Sequence, residues 1–315
     1  MRDISAKFPS LRTAVARAEL VAAADTILRI RAQMVPKGDP LPVARVAGVQ
    51  AAKMTSQLVP YCHPVPLSFV GIEFSLQEHS ITLTATARAI YATGVEMEAL
   101  TAASIAALTL YDMLKPIDDQ LVIRNVQLVE KHGGQSDYPA VVTHHPRAGV
   151  VVVSDSVSAG KHEDRSGAAI AERLREAGVD VVECPCIPDE VDAIRETVLR
   201  LADERHVDII ITTGGTGCGP RDVTPEAVAP LLDRELPGIS EAVRAYGIER
   251  TPNAMLSRET AGVHGRTLIV TLPGSLRAVN ESLDLLMPAL FHVLSTLQTS
   301  EWHPTSPPTS PQGET

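Results

Sequence analysis

Residues 94–115, GVEMEALTAASIAALTLYDMLK, decide how the first half of the chain is read. They open with two carboxylates two positions apart, Glu96 and Glu98. They close with an acid and a base three apart, Asp112 and Lys115. Between these lies an alanine-rich run with almost no charge. No glycine or proline interrupts it before Pro116, so from about Ala99 a helix is expected. On that helix Asp112 and Lys115 share a face. Glu96 and Glu98 share a side only in an extended segment. The reading taken is a strand end carrying two acids, then a buried helix ending in an acid–lysine pair. The competing reading is a plain complement to the helix dipole, with glutamates at the start and lysine at the end.

Working outward, residues 13–21 (TAVARAELV) fit either a strand or a helix, and residues 24–34 look helical. Lys37-Gly38-Asp39-Pro40 is a turn with Pro40 placed for a first helical turn, and a helix carrying Lys53 follows over about residues 42–59. Pro60, Pro64 and Pro66 bracket Tyr61-Cys62-His63 and impose an irregular connection. Residues 67–76 and 81–88 are rich in Val, Ile, Phe and Thr and read as an antiparallel pair, with a further strand at 121–129. This mixture indicates an α+β domain over residues 1–138.

Residues 139–147 read as a linker, and the pattern then changes. Strands at 149–153, 179–182, 207–212 and 267–272 alternate with helices at 166–177, 190–204, 224–232 and 278–297. Such alternation implies an α/β, doubly wound parallel sheet over residues 148–298. Residues 299–315 are rich in Pro, Ser and Thr and are expected to be a disordered tail.

Composition narrows the function classes. A net charge of −10 argues against nucleic acid as the main partner. No apolar run is read as long enough to span a bilayer, and the first residues carry no signal-peptide core, so no membrane partner is expected. Four cysteines in 315 residues do not make a disulfide framework, which suits a reducing cytoplasm.

In the second half, Thr212 to Pro225 (TTGGTGCGPRDVTP) follows the apolar strand VDIII and precedes a helix. Ligands of open α/β sheets sit beyond the carboxyl ends of the strands. Glycines there let backbone N–H groups approach phosphate oxygens, and the following helix start favours anions. The run is neither a Walker A nor a GxGxxG motif, and its bland reading is a tight strand-to-helix turn. Asp222 within it opposes an anion unless a cation such as Mg2+ bridges the two. Asp189 follows another strand and could join it, although each alone would serve as a helix cap. Ser154-Asp155-Ser156 and Pro273-Gly274-Ser275 are further loops at strand ends that fit a site.

In order, SDSVSAGKHEDRSG, IPDE, TTGGTGCGPRDVTPEA, RELPGI, MLSRE and TLPGS closely resemble the MogA/MoaB family of molybdenum cofactor biosynthesis. The resemblance implies a molybdopterin-binding α/β domain, usually trimeric. Its adenylyltransferase branch uses ATP as co-substrate with Mg2+ and holds no tightly bound cofactor. Carried over by motif, Asp189 and Asp222 are the functional, metal-binding carboxylates. Gly214, Gly215, Thr216, Gly217, Pro273, Gly274 and Ser275 form ligand loops with Ser154 and Asp155, and Ser257-Arg258 faces the pterin phosphate. The intact Asp222-Val223-Thr224-Pro225 run favours the adenylylating branch over a binding-only scaffold.

In the first half, KGDPLPVARVAGVQAAKMT, LVPYCHP and residues 94–115 strongly resemble the MoaC family, the cyclic pyranopterin monophosphate synthases. That resemblance implies a ferredoxin-like fold and a hexamer built as a trimer of dimers. It implies rearrangement of 3′,8-cyclo-7,8-dihydro-GTP to cyclic pyranopterin monophosphate with release of pyrophosphate. By motif, Lys37, His63, Glu96, Glu98, Asp112 and Lys115 are site residues, with Tyr61, Cys62, His63, Met97 and Glu98 lining the substrate.

The residue types fit this chemistry independently. Ring rearrangement needs proton transfers, which paired acids and bases supply. Lys37, Lys53 and Lys115 suit a triphosphate as point charges. His63 beside Cys62 lacks the further ligands of a metal site; a structural histidine is favoured over a metal ligand, and substrate contact over both. One departure is Gln135, where the family often has a lysine, and the phosphate contact of that loop is not carried over.

The chain thus reads as a bifunctional enzyme acting on small-molecule pterin and nucleotide substrates. It is expected as a homo-hexamer or homo-trimer, with other molybdenum cofactor pathway enzymes as partners. The competing classes are a synthase fused to a non-catalytic molybdopterin-binding scaffold and a nucleotide-binding fusion outside this pathway. Fourteen residues separate Glu98 from Asp112, about 21 Å on a continuous helix. Either residues 94–98 fold back along the helix, or the synthase site is shared between protomers. The second is the reading taken.

Overall fold

The computed structural model describes residues 1–134 and 145–299, which fall into two compact units, Met1–Pro139 and Ala140–Thr315. Gln135, most of the expected linker and the expected tail beyond residue 299 lie outside the described residues.

In the first unit the chain runs β1 (Ser10–Val21), α1 (Ala24–Arg31), α2 (Pro40–Lys53), α3 (Thr55–Leu58), β2 (Phe69–Leu76), β3 (Ser80–Tyr91), α4 (Glu96–Leu114) and β4 (Val122–His132). The sheet order is β2-β3-β1-β4, every pair antiparallel, which is the ferredoxin-like arrangement expected. The segment that fitted strand or helix is a strand. Its buried positions recur with period two: Ala14, Ala16, Ala18 and Leu20 are all fully buried, opposite Ala87, Ala85, Leu83 and Ile81 of β3. The Lys37–Pro40 turn is also as read. Asp39 caps α2 by accepting from the Leu41 N–H at 3.1 Å, and Pro40 opens the helix.

The sheet's inner face is therefore mostly alanine, and so is the face that covers it. Ala99, Ala102, Ala103, Ala106, Ala107, Leu110 and Leu114 of α4 are completely buried. Small residues on both sides allow close approach without voids. At 19 residues α4 is also apolar enough to cross a membrane by length and composition, which corrects the expectation that no such run exists. Half of its apolar window is buried in the fold, however, and it serves as the core helix of this unit.

Glu96 and Glu98 are corrected as well. They lie in the first turn of α4 rather than on a strand end, so they do not project to one side. The irregular stretch stops sooner than composition suggested, because β3 runs on to Tyr91 and the helix starts with the glutamates.

The second unit contains β5 (Arg147–Val153), α5 (Asp155–Ser158), α6 (Ser166–Glu176), β6 (Asp180–Glu183), β7 (Cys186–Ile187), α7 (Val191–Leu199), β8 (Ile209–Thr213), α8 (Thr224–Val228), β9 (Arg234–Glu235), α9 (Pro237–Ile248), β10 (Ala261–His264), β11 (Thr267–Leu272) and α10 (Leu276–Thr299). The sheet order is β6-β5-β8-β11-β10-β9, with β7 also on β5. The β5, β6, β7, β8 and β11 pairings are parallel, while β10 and β9 add on antiparallel. Separate apolar cores lie on the two faces. One is shared with α6, α9 and α10, the other with α7 and α8. This is the doubly wound α/β fold, with a mixed edge that the sequence pattern did not reveal.

Gly48 of α2 marks where α2 and α4 touch. A Cβ there would collide with the Ile72 side chain and come within 2.9 Å of the Ala102 carbonyl oxygen. Gly48→Val is expected to destabilise the first unit by about 1–3 kcal/mol through overpacking. Calorimetry should show a lower unfolding midpoint. An unchanged midpoint would mean the two helices are not in close contact.

Candidate functional site

The first unit places its expected residues at two separated ends of α4. At the C-terminal end, Asp112 Oδ1 accepts from Lys115 Nζ at 2.8 Å and Oδ2 from Lys37 Nζ at 3.1 Å; Lys37 also donates to the Asp112 carbonyl at 2.8 Å. The lysine hydrogen bonds, Lys115 first, hold the Asp112 carboxyl below its ordinary range, and Asp112 in turn raises the Lys115 ammonium. The motif spacing explains the Asp112–Lys115 pair. The turn before α2 brings Lys37 across 75 positions.

At the N-terminal end, Glu98 is 4% exposed, and burial pushes its carboxyl up. The Cys62 thiol is also raised, by burial and by the charge of Glu98, so the Tyr61–His63 stretch lies near this end. Tyr61 and Met97 are exposed, and His63 is half-buried. Lys53 is exposed at the last position of α2.

Beside Glu96 is a cavity of about 410 Å³ whose walls include Arg2, Lys7, Arg12, Lys131 and His132. Lys131 Nζ is 3.5 Å from Glu96 Oε1. These cations suit phosphate groups. They come from the first residues, β1 and β4, so no local motif announced them. In sequence they are scattered charges in an acidic chain.

In the second unit the expected loops converge at the carboxyl ends of β5, β8 and β11. Gly214 (φ +102°) and Gly215 (φ +63°) lie in the region that favours glycine, and a Cβ on Gly214 would strike the Val153 carbonyl. Gly214 N–H donates to the Leu272 carbonyl, and Thr213 Oγ1 to the Pro273 carbonyl at 2.8 Å. Thr224 Oγ1 donates to the Gly214 carbonyl at 2.9 Å and fixes the loop to the start of α8. Asp222 Oδ2 accepts from Gly219 N–H at 2.7 Å, so the carboxylate closes the glycine run on itself.

Asp155 and Asp189 cap each other. Asp155 N–H donates to Asp189 Oδ2 at 2.8 Å and Asp189 N–H to Asp155 Oδ1 at 3.1 Å. Arg221, which the motif reading passed over, grips both oxygens of Asp155 at 2.9 and 3.0 Å and donates to Glu190 at 2.8 Å. It neutralises part of a carboxylate cluster that would otherwise repel an anion.

Arg258 differs from expectation. Its guanidinium is engaged by groups of the protein. Its Nε donates to the Gly217 carbonyl, its Nη2 to the Asp222 carbonyl, and its Nη1 pairs with Glu226. It is a brace for the glycine loop. Ser257, its neighbour, stays at the cavity and shares a hydrogen bond with Thr216 at 3.3 Å.

Two cavities meet here. One, about 440 Å³, is lined by Ser154, Asp189, Gly214, Gly215 and Gly274. The other, about 550 Å³, is lined by Thr216, Gly217, Ser257, Pro273, Gly274 and Ser275. Gly274 belongs to both, and a Cβ on it would lie 3.2 Å from Gly214 Cα, so only a thin glycine wall separates them. Among the described residues no group of three or more His, Cys, Asp and Glu is placed to hold a metal ion. Two carboxylates with incoming phosphate oxygens do fit Mg2+, which is commonly held that way.

A MoaC family profile matches residues 1–134, and a profile described as "Probable molybdopterin binding domain" matches residues 149–292. The chain is 43% identical over 298 residues to the molybdenum cofactor biosynthesis bifunctional protein of Chlorobaculum tepidum, covering 95% of this chain and 94% of that one. It is 47% identical over 138 residues to a cyclic pyranopterin monophosphate synthase of Clostridium perfringens, covering 43% of this chain and 87% of that one. Among solved structures, the molybdopterin biosynthesis enzyme MoaB of Thermus thermophilus is 44% identical, covering 50% of this chain and 99% of that one, at a TM-score of 0.47.

Asp189 offers a check on the geometry. Burial is the first cause raising its carboxyl. The Asp155 and Asp222 charges also raise it, while the hydrogen bond from the Asp155 backbone and the Arg221 charge oppose them. A carboxyl easier to protonate in the folded chain detracts from stability when ionised, above its folded value, and the penalty disappears as pH falls below its unfolded value. Asp189→Asn is therefore expected to raise the unfolding midpoint of the second unit at pH 7, with a gain that shrinks towards pH 4. An equal or lower midpoint at pH 7 would contradict this.

Proposed function

The chain belongs to the family of bifunctional proteins of molybdenum cofactor biosynthesis, and on that premise we propose that its two units catalyse two separate reactions of that synthesis. The first unit converts 3′,8-cyclo-7,8-dihydro-GTP to cyclic pyranopterin monophosphate and pyrophosphate. The second transfers AMP from ATP to molybdopterin. A cytoplasmic location accords with the four free cysteines.

For the first reaction, Asp112 is the general acid and base. The two lysines that hold its carboxyl below its ordinary range keep it ionised while weakening it as a base, and either ammonium can supply the proton returned. Glu98, with its carboxyl raised by burial, is the natural donor at the other end. The cationic cavity beside Glu96 suits the triphosphate. One observation carries the arrangement further. Helix α4 is continuous from Glu96 to Leu114, which rules out a fold-back within the helix and leaves Glu98 about 21 Å along the axis from Asp112. Proton transfer works over about 3 Å, so one substrate cannot use both ends of one helix. The site is completed by a second protomer. Closed symmetry is the usual outcome for such self-association, and a hexamer would satisfy both the trimer of dimers expected of the first unit and the trimers expected of the second.

For the second reaction, the reading is supported by two adjoining cavities, one for ATP and one for molybdopterin. A phosphate oxygen of molybdopterin attacks the α-phosphorus of ATP, a new P–O–P bond forms, and pyrophosphate leaves. Gly214, Gly215 and Gly274 allow the two reactants to approach across their shared wall. Asp189 and Asp222 would hold Mg2+, which when bound offsets the charge on the phosphates. Arg258 keeps the glycine loop in place, and Ser257 and Thr216 offer hydroxyls at the molybdopterin side.

Two experiments test these readings. Glu98→Ala and Asp112→Ala are each expected to abolish cyclic pyranopterin formation. Unfolding and refolding them together should restore part of it, up to about a quarter if protomers pair at random, because some interfaces then carry both intact halves. No recovery in demonstrably mixed oligomers would mean that each protomer builds its own site. Asp222→Asn is expected to abolish adenylyl transfer, measured as adenylylated molybdopterin, while leaving pyranopterin formation intact. Full transfer in that variant would reject the carboxylate's role. Wild-type protein that binds molybdopterin without adenylylating it would make the second unit a scaffold.

A further inference from the structure

The motif MLSRE supplies two residues that the site already uses, Ser257 and Arg258. The third, Glu259, has no part in the chemistry so far, and its surroundings are unusual. It lies between Arg258 and β10, and its side chain is only 3% exposed. Its Oε2 receives no hydrogen bond among the described residues. The Arg244 guanidinium is 3.5 Å from that oxygen, while Arg244 Nε donates to the Ser257 carbonyl at 3.0 Å. The charge of Glu259 is thus balanced, but its hydrogen-bonding capacity is not.

Glu259 also lines the cavity of about 550 Å³ that faces the glycine loop. The rest of that wall is largely apolar, with Val243 and Tyr246 from α9 and Ala278 from α10. An unsatisfied acceptor buried in such a wall is costly, and binding pockets place few polar groups, each fixing a ligand's orientation. A cationic ligand is disfavoured, because Arg244 already stands against the carboxylate. A neutral, flat ligand with N–H donors at its edge is favoured on both counts.

We propose that Glu259 determines specificity in this cavity by accepting the adjacent ring and amino N–H donors at the 2-amino-4-oxopyrimidine edge of a pterin. The proposal rests on the assignment of molybdopterin to this cavity. Two parallel donors on one heterocycle edge match the two oxygens of one carboxylate. The ring lies against Val243 and Ala278, and the remainder of the ligand extends towards Thr216, Gly217 and Ser275, where the phosphate chemistry takes place.

The test uses the full chain and two heterocycles. Pterin carries the 2-amino group, whereas lumazine has an oxo group there and would turn an acceptor towards the carboxylate. Fluorescence titration is expected to show wild-type protein binding pterin at least about tenfold more tightly than lumazine, as loss of a charged hydrogen bond implies. Glu259→Gln, whose amide offers one acceptor in place of two, should lose most of that ratio while keeping its affinity for ATP. Equal affinity of the wild type for the two heterocycles, or binding of neither, overturns the proposal without recourse to any variant. So does a folded Glu259→Gln protein that keeps the full preference, because Glu259 would then act only as the ion-pair partner of Arg244. Adenylyl transfer is followed in the same preparations. Pterin preference through Glu259 without transfer would remove the proposed activity and leave this residue's role. Transfer with an unchanged KM for molybdopterin in Glu259→Gln would remove the role and leave the activity.

Discussion

The contact between the alanine faces of α4 and its sheet is the constraint on which the first unit depends. Ala99, Ala102, Ala103, Ala106 and Ala107 meet a strand face built from Ala14, Ala16, Ala18, Ala85 and Ala87, all completely buried. Short side chains leave little room for the helix to shift or bend, because a displaced backbone would strike the sheet rather than a yielding side chain. Gly48 of α2 lies against the same core, beside Ala102 of α4 and Ile72 of the sheet. The helix is thereby held as a rod, and its length sets the separation of its reactive ends. Asp112 and the buried Glu98 belong to one continuous helix, with Lys115 just past its end and Lys37 brought in from the turn before α2, so the two ends lie about 21 Å apart along the axis. On the proposed reading, one substrate would therefore draw on two protomers.

The second unit faces a different problem, which on the proposed reading is that of placing two anionic reactants side by side. Its answer is backbone proximity. A Cβ on Gly274 would crowd Gly214 Cα at 3.2 Å and one on Gly214 would strike the Val153 carbonyl, where the loops of three parallel strands meet. Such loops need support, which two arginines give. Arg258 ties the carbonyls of Gly217 and Asp222 to Glu226, and Arg221 spans Asp155 and Glu190. Neither arginine is released by the fold to act as a simple anion trap, and on the proposed reading Asp189 and Asp222 would manage the charge through a bridging cation.

Much of this was legible in the sequence, and the exceptions have physical causes. Strong periodicity carried the helices and parallel strands, and the spacing of Asp112 and Lys115 carried their pairing. The β1 segment was ambiguous because alanine favours helix by propensity, while its two-residue burial period is visible only once partners exist. Glu96 and Glu98 were misplaced because the preceding glycine and valine hid where the helix begins. The β9–α9–β10 edge escaped because its strands are very short. Arg2, Lys7, Arg12 and Lys131 gather from distant positions, so only the fold could bring them together. Arg258 was read as a ligand contact because a basic residue in a loop motif suggests phosphate, whereas its donors point to carbonyl groups of the glycine loop.

The central claim is that the synthase site does not exist in a single protomer. Native mass spectrometry of the full chain, paired with pyranopterin formation measured across the same dilution series, tests it most directly. The account predicts that activity per chain follows the population of dimers and larger species and disappears as monomer takes over, while the monomer stays folded. A folded monomer with undiminished synthase activity would contradict it.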